Sequence, residues 1–500
     1  MYGYVFTRRR FLASSASAVA GAVLVGCSSS PQTPSGVISP TDRAVTEAEA
    51  ARRRPGSSLT TVELVAGPAT VDLAGRVVDT VAYNQQVPGP LIRARAGDEL
   101  KVTLRNQLDA ATLTHWHGLA IRNDMDGVPD LVQKAIEPGA SFTYQFIVPD
   151  PGTYWFHPHM GLDLDRGMYA PIIIDDPGEA GDYDHEEVLI LDDWLDGIDG
   201  ATPESTLNQL RSQGGMGGGM SGMNHSGMGG MSMSGMSDFG DVDYPLHLIN
   251  GRPPADAPST VVASGSRVRL RLINAGSDTV YRVAVDNHPM IITHLDGFPI
   301  EPIEVDTFQV AMGERVDAIV EVTSGVWPIL AVAEGKTGAA LTWLRTNDAA
   351  ATATPTLGRR LANHDGRMLD LAAARPTAGA ARSTVKPERS VDLALTGSMT
   401  DYVWGINGHT YDPTNALLIS SGETLRLRMR NETMMVHPMH LHGHTFALTS
   451  SGVRKDTVLV PPMETVEIDV LADNPGQWML HCHNTYHLET GMATVLAYRT

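Results

Sequence analysis

GDELKVTLRN, at residues 97–106, decides the fold because the same pattern occurs three times in the chain. The other copies are GSRVRLRLIN at 265–274 and GETLRLRMRN at 422–431. In each copy a glycine precedes a run of alternating apolar and polar residues, and an asparagine ends the run. Alternation with a period of two predicts a strand with one buried face, and the glycine marks the turn before it. Three copies predict three domains built on one plan.

Histidines accompany this repeat in the first and last copies only. PGTYWFHPH at 151–159 has the same spacing as PGQWMLHCH at 475–483. The middle copy has GVWPILAV at 325–332, with Leu330 and Val332 where the histidines are expected. The middle domain therefore keeps the framework of the repeat and lacks its histidines.

The chain is predicted to be all-β. Short alternating strands separated by Gly and Pro turns, with almost no long amphipathic helix, favour Greek-key β-sandwiches. We place three of them at residues 59–178, 183–346 and 388–500. The stretch 347–387, rich in Ala, Thr, Arg and Pro, is the connection between the last two.

Residues 1–27 predict an export signal. TRRRFL at 7–12 fits the twin-arginine pattern, and the apolar stretch behind it is too short to cross a bilayer. LVGC at 24–27 resembles a bacterial lipobox with Cys27 as the lipidated residue; the alternative is an ordinary cleaved signal with an incidental cysteine. Residues 28–58 predict a flexible tether. We therefore expect a cell-envelope lipoprotein, in the periplasm or on the outer face of the membrane, attached to the membrane only through its lipid.

Four histidine clusters carry the chemistry. They are HWH at 115–117, HPH at 157–159, HPMHLH at 437–442 and HCHNTYHLETGM at 481–492. Residues i and i+2 of a strand point to the same face, so each His-x-His pair can hold a common metal centre. Four pairs supply eight imidazoles, which suits a multinuclear site.

Cys482 lies between two of these histidines and is expected to point to the opposite face. This predicts a second metal site behind the first, with His437, His487 and Met492 as companions. Two histidines, a thiolate and a long axial methionine define a blue-copper electron-transfer centre. Zinc favours more thiolates or a closed tetrahedral set of ligands. Metal ligation also explains an unpaired thiol in an exported protein.

The motifs HWHG, HPHM, HPMHLHGH and HCHxxxHxxxxM resemble the copper motifs of multicopper oxidases, and the resemblance covers essentially the whole mature chain. Within that family the chain is most similar to bacterial copper-tolerance oxidases of the cuprous-oxidase and laccase-like kind. The resemblance implies three cupredoxin-like domains and four copper ions. It assigns the type 1 copper to His437, Cys482, His487 and Met492. It assigns the type 2 copper to His115 and His440. It assigns the type 3 pair to His117, His157, His159, His442, His481 and His483.

The same resemblance implies a proton supply for reducing O2 to water. Asp126 in DMDGVP matches an acidic position that follows HWHG in the family. Asp-Gly is also a common turn pair, and the two roles are compatible. Many relatives place Glu directly after the type 1 histidine, where this chain has Leu488 and only then Glu489. Adjacent strand positions face opposite ways, so Glu489 is a candidate but not a simple replacement.

Methionines are the main candidate residues for binding the electron donor. The Met-rich insert at 214–236 offers thioethers, which prefer Cu(I), although a low-complexity loop is the alternative interpretation. Its candidate ligands are Met216, Met220, Met223, His225, Met228, Met231, Met233 and Met236. Met434 and Met435 match methionines beside the cuprous substrate site of the relatives. Glu432 stands one place from Thr433, the position that is acidic in those relatives.

These observations favour a monomeric oxidase that couples one-electron oxidation of Cu(I) to the four-electron reduction of O2 and thereby detoxifies copper. One alternative is a laccase-like oxidase of phenols, Fe(II) or Mn(II). Another is a copper-sequestering protein without turnover, which the complete set of ligands disfavours. Nucleic acid is not an expected partner, because a net charge of −20 leaves no basic patch to neutralise phosphate.

Overall fold

The computed structural model describes residues 36–179, 181–215, 239–349, 360–382 and 386–500. Cys27 and the candidate ligands of the Met-rich insert, from Met216 to Met236, lie outside the described residues. The described chain is almost entirely β, and its six sheets form three sandwiches, each with an apolar core between two sheets. The predicted all-β class is therefore confirmed. No helix in the described ranges is long and apolar enough to span a membrane.

The flexible tether predicted for 28–58 is wrong over 36–58, because this part is folded onto the body of the protein. Helix α1 (Arg43–Arg52) begins after Asp42, whose carboxylate accepts the Ala44 N–H at 2.9 Å. Val45 of the helix is buried, and Glu49 accepts the Ile147 N–H at 2.6 Å. A composition rich in Ser, Pro, Thr and Ala did not reveal these specific anchoring contacts.

The first sandwich comprises β1 to β8. Its strands are Leu59–Asp72, Val77–Tyr83, Ile92–Arg95, Glu99–Asn106, His115–His117, Ser141–Ile147, Gly152–His157 and Ala170–Asp175. The sheet orders are β2-β1-β4-β6 and β3-β8-β7-β5. The predicted repeat strand is β4, and its alternate side chains Leu100, Val102 and Leu104 are buried between the sheets.

The second sandwich comprises β9 to β19, with helix α2 (Pro203–Gly215) after β9. Its strands are His185–Trp194, Leu246–Ile249, Ser259–Val262, Arg267–Asn274, Tyr281–Val285, Met290–Leu295, Phe298–Val305, Phe308–Val310, Arg315–Glu321, Val326–Ala333 and Ala339–Thr346. The sheet orders are β10-β9-β12-β17-β14-β15 and β11-β19-β18-β13-β16. Both faces of the repeat strand β12 are buried, since Arg269 and Arg271 pair with Asp317 instead of facing solvent.

The third sandwich comprises β20 to β30, with the short helix α3 (Thr485–Glu489) after β29. Its strands are Arg389–Ser398, Val403–Ile406, Leu417–Ile419, Thr424–Asn431, His437–Leu441, Phe446–Leu448, Arg454–Lys455, Thr457–Val460, Thr465–Leu471, Gln477–Cys482 and Ala493–Tyr498. The sheet orders are β21-β20-β23-β28-β25-β26 and β22-β30-β29-β24-β27. Short 3-10 turns occur at Asn123–Met125, Asp163–Arg166, Pro254–Asp256 and Ala362–Asp365.

The asparagine that ends each repeat strand explains why the pattern recurs. In β4, β12 and β23 its side-chain oxygen accepts the N–H two residues later, at 2.9 Å in every case. Its side-chain NH₂ donates to carbonyls of the loop that follows and of a neighbouring segment. The residues are Asn106, Asn274 and Asn431. One side chain thereby fixes the same turn in all three sandwiches.

The connection between the second and third sandwiches is also held in place where it is described. Residues 360–382 run along the second sandwich, with bridges from Met368 to Thr307 and from Pro376 to Ile300. The third sandwich then begins at Arg389.

Candidate metal centres

The His-x-His motifs meet where the first and third sandwiches face each other. His115 in β5 pairs with His157 at the end of β7, and His440 in β24 pairs with His481 in β29. The prediction that every pair lies within a strand is correct only for His115 and His117. The second histidine of each other pair lies just past a strand end: these are His159, His442 and His483.

The paired site consists of His115 and His440, one from each sandwich. Their Nε2 atoms face each other at 3.4 Å. On the outer side, Nδ1–H of His115 donates to the Asp126 carbonyl at 2.8 Å, and Nδ1–H of His440 donates to the Asp456 carbonyl at 3.0 Å. Because the outer nitrogens carry the protons, the inner Nε2 atoms retain the lone pairs that bind a metal.

The other six histidines of the four His-x-His motifs form two triads, and the second triad consists of His159, His442 and His481. Nε2 of His481 lies 3.0 Å from Nε2 of His442 and 3.4 Å from Nε2 of His159. The outer Nδ1–H of His442 donates to a carboxylate oxygen of Asp126 at 2.9 Å, and that of His481 donates to the Cys482 carbonyl at 2.9 Å. Three lone pairs converge on one point, as a three-histidine metal site requires.

The first triad consists of His117, His157 and His483, whose ring centroids lie 4.9 to 5.8 Å apart. Nδ1 of His117, Nε2 of His157 and both nitrogens of His483 have no hydrogen-bond partner among the described residues. Buried nitrogens without partners are unfavourable unless they bind something else. Because Nε2 of His117 is held by the Thr457 hydroxyl at 3.2 Å, its free Nδ1 is the atom available to a metal.

Burial fixes the protonation state of these rings. Loss of solvent, reinforced by the neighbouring imidazoles, lowers the pKa of six of them well below the ordinary value. They are His117, His157, His159, His442, His481 and His483. Neutral imidazole is the form that ligates a metal, so the cluster is ready to receive cations.

The thiolate site lies on the other side of β29. Sγ of Cys482 is 3.6 Å from Nδ1 of His437 and 3.7 Å from Nδ1 of His487, and the two Nδ1 atoms are 3.1 Å apart. Met492 is buried in the same apolar cluster, and its carbonyl accepts the Cys482 N–H at 3.0 Å. Burial raises the pKa of the Cys482 thiol, so a cation is needed here to hold it as a thiolate.

Copper fits these residues. Eight imidazoles that converge from four motifs suit a multinuclear centre, and a buried cysteine between two imidazoles, with Met492 buried in the same apolar cluster, suits a blue-copper centre. The structure thus brings eleven of the predicted metal ligands together in two adjoining groups, and it buries Met492 in the same apolar cluster as Cys482. The division of copper types among them stays a prediction.

Comparison with known proteins identifies the family. Multicopper oxidase family models match residues 66–179, 225–349 and 384–500. The multicopper oxidase MmcO of Mycobacterium tuberculosis is 43% identical over 99% of this chain and 97% of its own length. The chain belongs to the multicopper oxidase family.

The chain is also similar to a copper resistance protein and to a laccase. Copper resistance protein A of Pseudomonas syringae pv. tomato is 27% identical over 87% of this chain and 92% of its own length. The crystal structure of laccase from Botrytis aclada has a TM-score of 0.74 and 25% identity, covering 88% of each chain. The three sandwiches are therefore cupredoxin-like, and this multicopper oxidase is a copper-dependent oxidoreductase that uses O2 and a reducing substrate.

Two aspartates orient the histidines of this multicopper oxidase. Asp126 accepts hydrogen bonds from His115 and His442. Asp456 serves His440 and also lies 3.2 Å from Nε2 of His117 through its carboxylate. Burial raises the pKa of Asp456, but the adjoining Arg315 guanidinium outweighs burial and holds it below the ordinary value.

Sequence reasoning missed Asp456. The available signal was its place directly before β27, which pairs with β24 at His440 and Thr457. Pairing between strands that are distant in sequence brings Asp456 to the cluster, and no local motif marks this residue.

The outer nitrogens of the type 1 candidate histidines are also occupied. Nε2–H of His437 donates to the Thr433 hydroxyl at 2.8 Å, and Nε2–H of His487 donates to the Asp241 carboxylate at 2.9 Å. Tyr402 donates to the same carboxylate oxygen at 2.8 Å. Asp241 comes from the second sandwich and was not anticipated. The carboxylate that contacts His487 thus comes from the second sandwich, whereas the sequence pattern pointed to Glu432 in the third.

The three predicted donor residues in the third sandwich have different surroundings. Glu432 forms an ion pair with Arg430 at the surface. Met434 is 62% exposed, on the loop that carries Thr433, whereas Met435 is buried in the core. Of the two methionines, Met434 is the one that solvent-borne copper can reach.

Glu489 lies in α3 and not in a strand, so the argument that adjacent strand positions face opposite ways does not apply to it. It lines a cavity of about 460 Å³ whose walls also include His157, His159, His481 and His483 of the two triads. Burial raises the pKa of Glu489, and Arg211 at the same cavity partly offsets this. Leu488 packs against an apolar cluster beside the same cavity.

Proposed function

We propose that this multicopper oxidase takes electrons from Cu(I) at the thiolate site and reduces O2 to water at the eight-histidine cluster, using four copper ions. The observation that carries the proposal is the position of Cys482. Its sulfur belongs to the thiolate site, and its two neighbours, His481 and His483, belong to the two triads. A chain with only a storage role has no need for such a junction.

When bound, the copper ions would supply one-electron storage and the redox chemistry of O2. The chain's own residues hold that chemistry in place. The His481 Nδ1–H bonded to the Cys482 carbonyl gives a short route between the two sites in addition to the covalent backbone. Asp126 fixes one ring of the paired site and one of the second triad.

Protons would reach the cluster from two sides. Asp126 touches the outer nitrogens of His115 and His442, while Glu489 lines the cavity that opens onto both triads. A raised pKa keeps Glu489 protonated at higher pH than an ordinary glutamate, which suits a group that delivers protons.

The donor site we propose is a cavity of about 360 Å³ beside the type 1 histidines, lined by Asp241, Asp243 and residues of α2. The Asp243 carboxylate is exposed at this cavity, and a negative charge there favours a cationic donor over a neutral one. The described chain resumes at Phe239 after the Met-rich insert, and Asp241 then contacts His487. The residues that follow the insert in sequence therefore lie next to the proposed electron-accepting site, and we propose that the thioethers of the insert raise the local Cu(I) concentration there.

A laccase-like activity on phenols is the second candidate. The exposed Asp243 carboxylate at the same cavity is also suited to accept the proton that a phenol loses on oxidation. Similarity to the Botrytis aclada laccase is consistent with this alternative.

We further propose that the protein is exported by the twin-arginine route and anchored through Cys27, as a monomer. Cys27→Ala is expected to release the folded protein from the membrane fraction without changing its oxidase activity. A wild-type chain found in the soluble fraction would contradict the anchor.

The deciding experiment measures O2 uptake by the copper-loaded protein with Cu(I), a phenol and Fe(II) as separate donors. The comparison variant carries a Gly/Ser segment of equal length in place of 214–236, so that only the thioethers, Asn224 and His225 are lost. We expect Cu(I) turnover to fall in the variant while phenol turnover is unchanged. No O2 uptake with any donor at full copper loading would leave sequestration as the function.

A further inference from the structure

The middle domain has none of the metal ligands, yet it contacts the cluster through one turn between β16 and β17. Gly313 of this turn has φ +85°, and a Cβ added there would lie 2.8 Å from His483 and 3.0 Å from His117. The backbone of the middle domain is therefore packed directly against two rings of the first triad.

Arg315, two residues later, is fully buried and joins all three sandwiches. Its guanidinium forms two parallel bonds to the Asp456 carboxylate of the third sandwich, at 2.7 and 2.6 Å. Its Nε–H donates to the Thr153 carbonyl of the first sandwich at 3.1 Å. Asp296 of the middle domain accepts the N–H groups of Asp456 and Thr457 at 3.2 and 3.1 Å. The side chain and the backbone of Asp456 are thus both fixed from the middle domain.

The space around this ion pair is closed by the HWHG motif itself. Gly118 has φ +85°, and any Cβ at this position would overlap the Arg315 guanidinium and the Asp456 carboxylate. The glycine of the motif is therefore needed to let the first sandwich close over the ion pair.

Asp456 passes this constraint on to two metal ligands. Its carbonyl holds Nδ1 of His440, and its carboxylate, with the Thr457 hydroxyl, holds Nε2 of His117. His440 belongs to the paired site and His117 to the first triad. Groups that orient metal-bound histidines in this way set both ring orientation and metal affinity.

We propose that Arg315 is a positioning residue for the type 2 copper and its type 3 neighbour: it fixes Asp456, and Asp456 fixes the rings of His440 and His117. The ligand-free domain thereby takes part in building the oxygen-reducing centre. A planar two-pronged guanidinium performs this task where a lysine ammonium does not, because only the guanidinium holds both carboxylate oxygens in one orientation. The inference rests on the proposed copper cluster and is independent of the electron donor.

The test is Arg315→Lys, which keeps the buried charge and removes the two-pronged geometry. In the copper-loaded variant we expect the type 2 electron paramagnetic resonance signal to broaden or shift, and type 2 copper affinity to fall by about 10- to 100-fold in chelator titrations. The blue absorption of the type 1 copper should be unchanged, because its ligands come from the third sandwich alone. That band also reports that the variant has folded.

Arg269→Lys is the matched control. Arg269 is equally a buried arginine of the middle domain paired with an aspartate, Asp317, but it contacts no metal ligand. It is expected to lower thermal stability while leaving type 2 signal and affinity unchanged. Equal copper loss in both variants, or none in Arg315→Lys, would overturn the inference.

Asp456→Asn provides a second route should Arg315→Lys fail to fold. The substitution keeps the shape of the side chain and removes its charge, and it should reproduce the type 2 defect with the blue band intact. Retention of a wild-type type 2 signal in this variant would also overturn the inference. A wild-type protein without any type 2 signal would instead refute the proposed copper cluster.

Discussion

Individual carboxylates orient the histidine rings of the two metal sites. Asp126 and Asp456 hold the cluster histidines from opposite sandwiches, whereas Asp241 holds the single outer nitrogen of His487. The Asp241 side chain is fully buried, so its effect on the thiolate site is exerted through one hydrogen bond. A substitution of Asp241 therefore tests electron donation separately from O2 reduction.

Asp241→Asn is therefore expected to lower kcat/KM for Cu(I) by about 10- to 100-fold, the usual effect of removing a hydrogen-bonding partner of a metal-bound histidine. Steady-state O2 uptake at varied Cu(I), together with the type 1 reduction potential, measures the change. Asp243→Asn is the control, since Asp243 lines the same cavity but is exposed and has no bond to a ligand. Equal losses in both variants would mean that general negative charge matters and the bond to His487 does not.

At the scale of elements, the alternation of the repeat strands was enough to predict the fold. The copies at 97–106 and 422–431 became strands with one buried face, and the terminal asparagines fixed the turns. Short helices were not predictable in this way. Helix α3 is only five residues long and depends on Asn484, whose side chain accepts the N–H groups of Tyr486 and His487.

Residues that reach the sites from distant parts of the chain could not be predicted either. Asp241 bonds the predicted ligand His487, and Arg315 bonds Asp456, which orients His440; both reach the third sandwich from the second, across 246 and 141 positions of sequence. Local motifs contain the ligands, but the groups that orient them are set by how the sandwiches pack. This is why the metal ligands were predictable as a set and their supporting carboxylates largely were not.

Helix α3 carries the next prediction, because it places Glu489 at the cavity that leads to the triads. Glu489→Gln is expected to reduce O2 turnover by about 100-fold at neutral pH, the range for loss of a positioned acid. The reduction should shrink as the pH falls, since solvent protons then replace the lost group. The raised pKa of Glu489 means that the wild-type enzyme stays active to higher pH than the variant.

The pH profile of O2 uptake at saturating Cu(I) checks this, with Glu489→Asp as the variant that keeps an acid. A parallel profile for Glu489→Gln and wild type, differing only by a constant factor, would contradict a proton-delivering role.

At the scale of the whole molecule, the two metal sites draw their predicted ligands from different numbers of sandwiches. The thiolate site draws its ligands from residues 437–492, within the third sandwich. The eight-histidine cluster draws four from the first sandwich and four from the third, and the middle domain closes over it with Gly313 and Arg315. Copper at the cluster is therefore expected to hold the sandwiches together, whereas copper at the thiolate site is not.

Removing all copper should lower the melting temperature more than removing the type 1 copper alone. A metal that binds only the native state stabilises it by about 4 kcal/mol when present at a thousand times its Kd, and the cluster sites span two domains. Cys482→Ser removes the type 1 thiolate and leaves the cluster histidines, so calorimetry of this variant, the copper-loaded wild type and the chelated wild type separates the two contributions. We expect the variant to melt close to the loaded wild type. A variant that melts as low as the fully chelated protein would show that the third sandwich, and not the junction between sandwiches, limits stability.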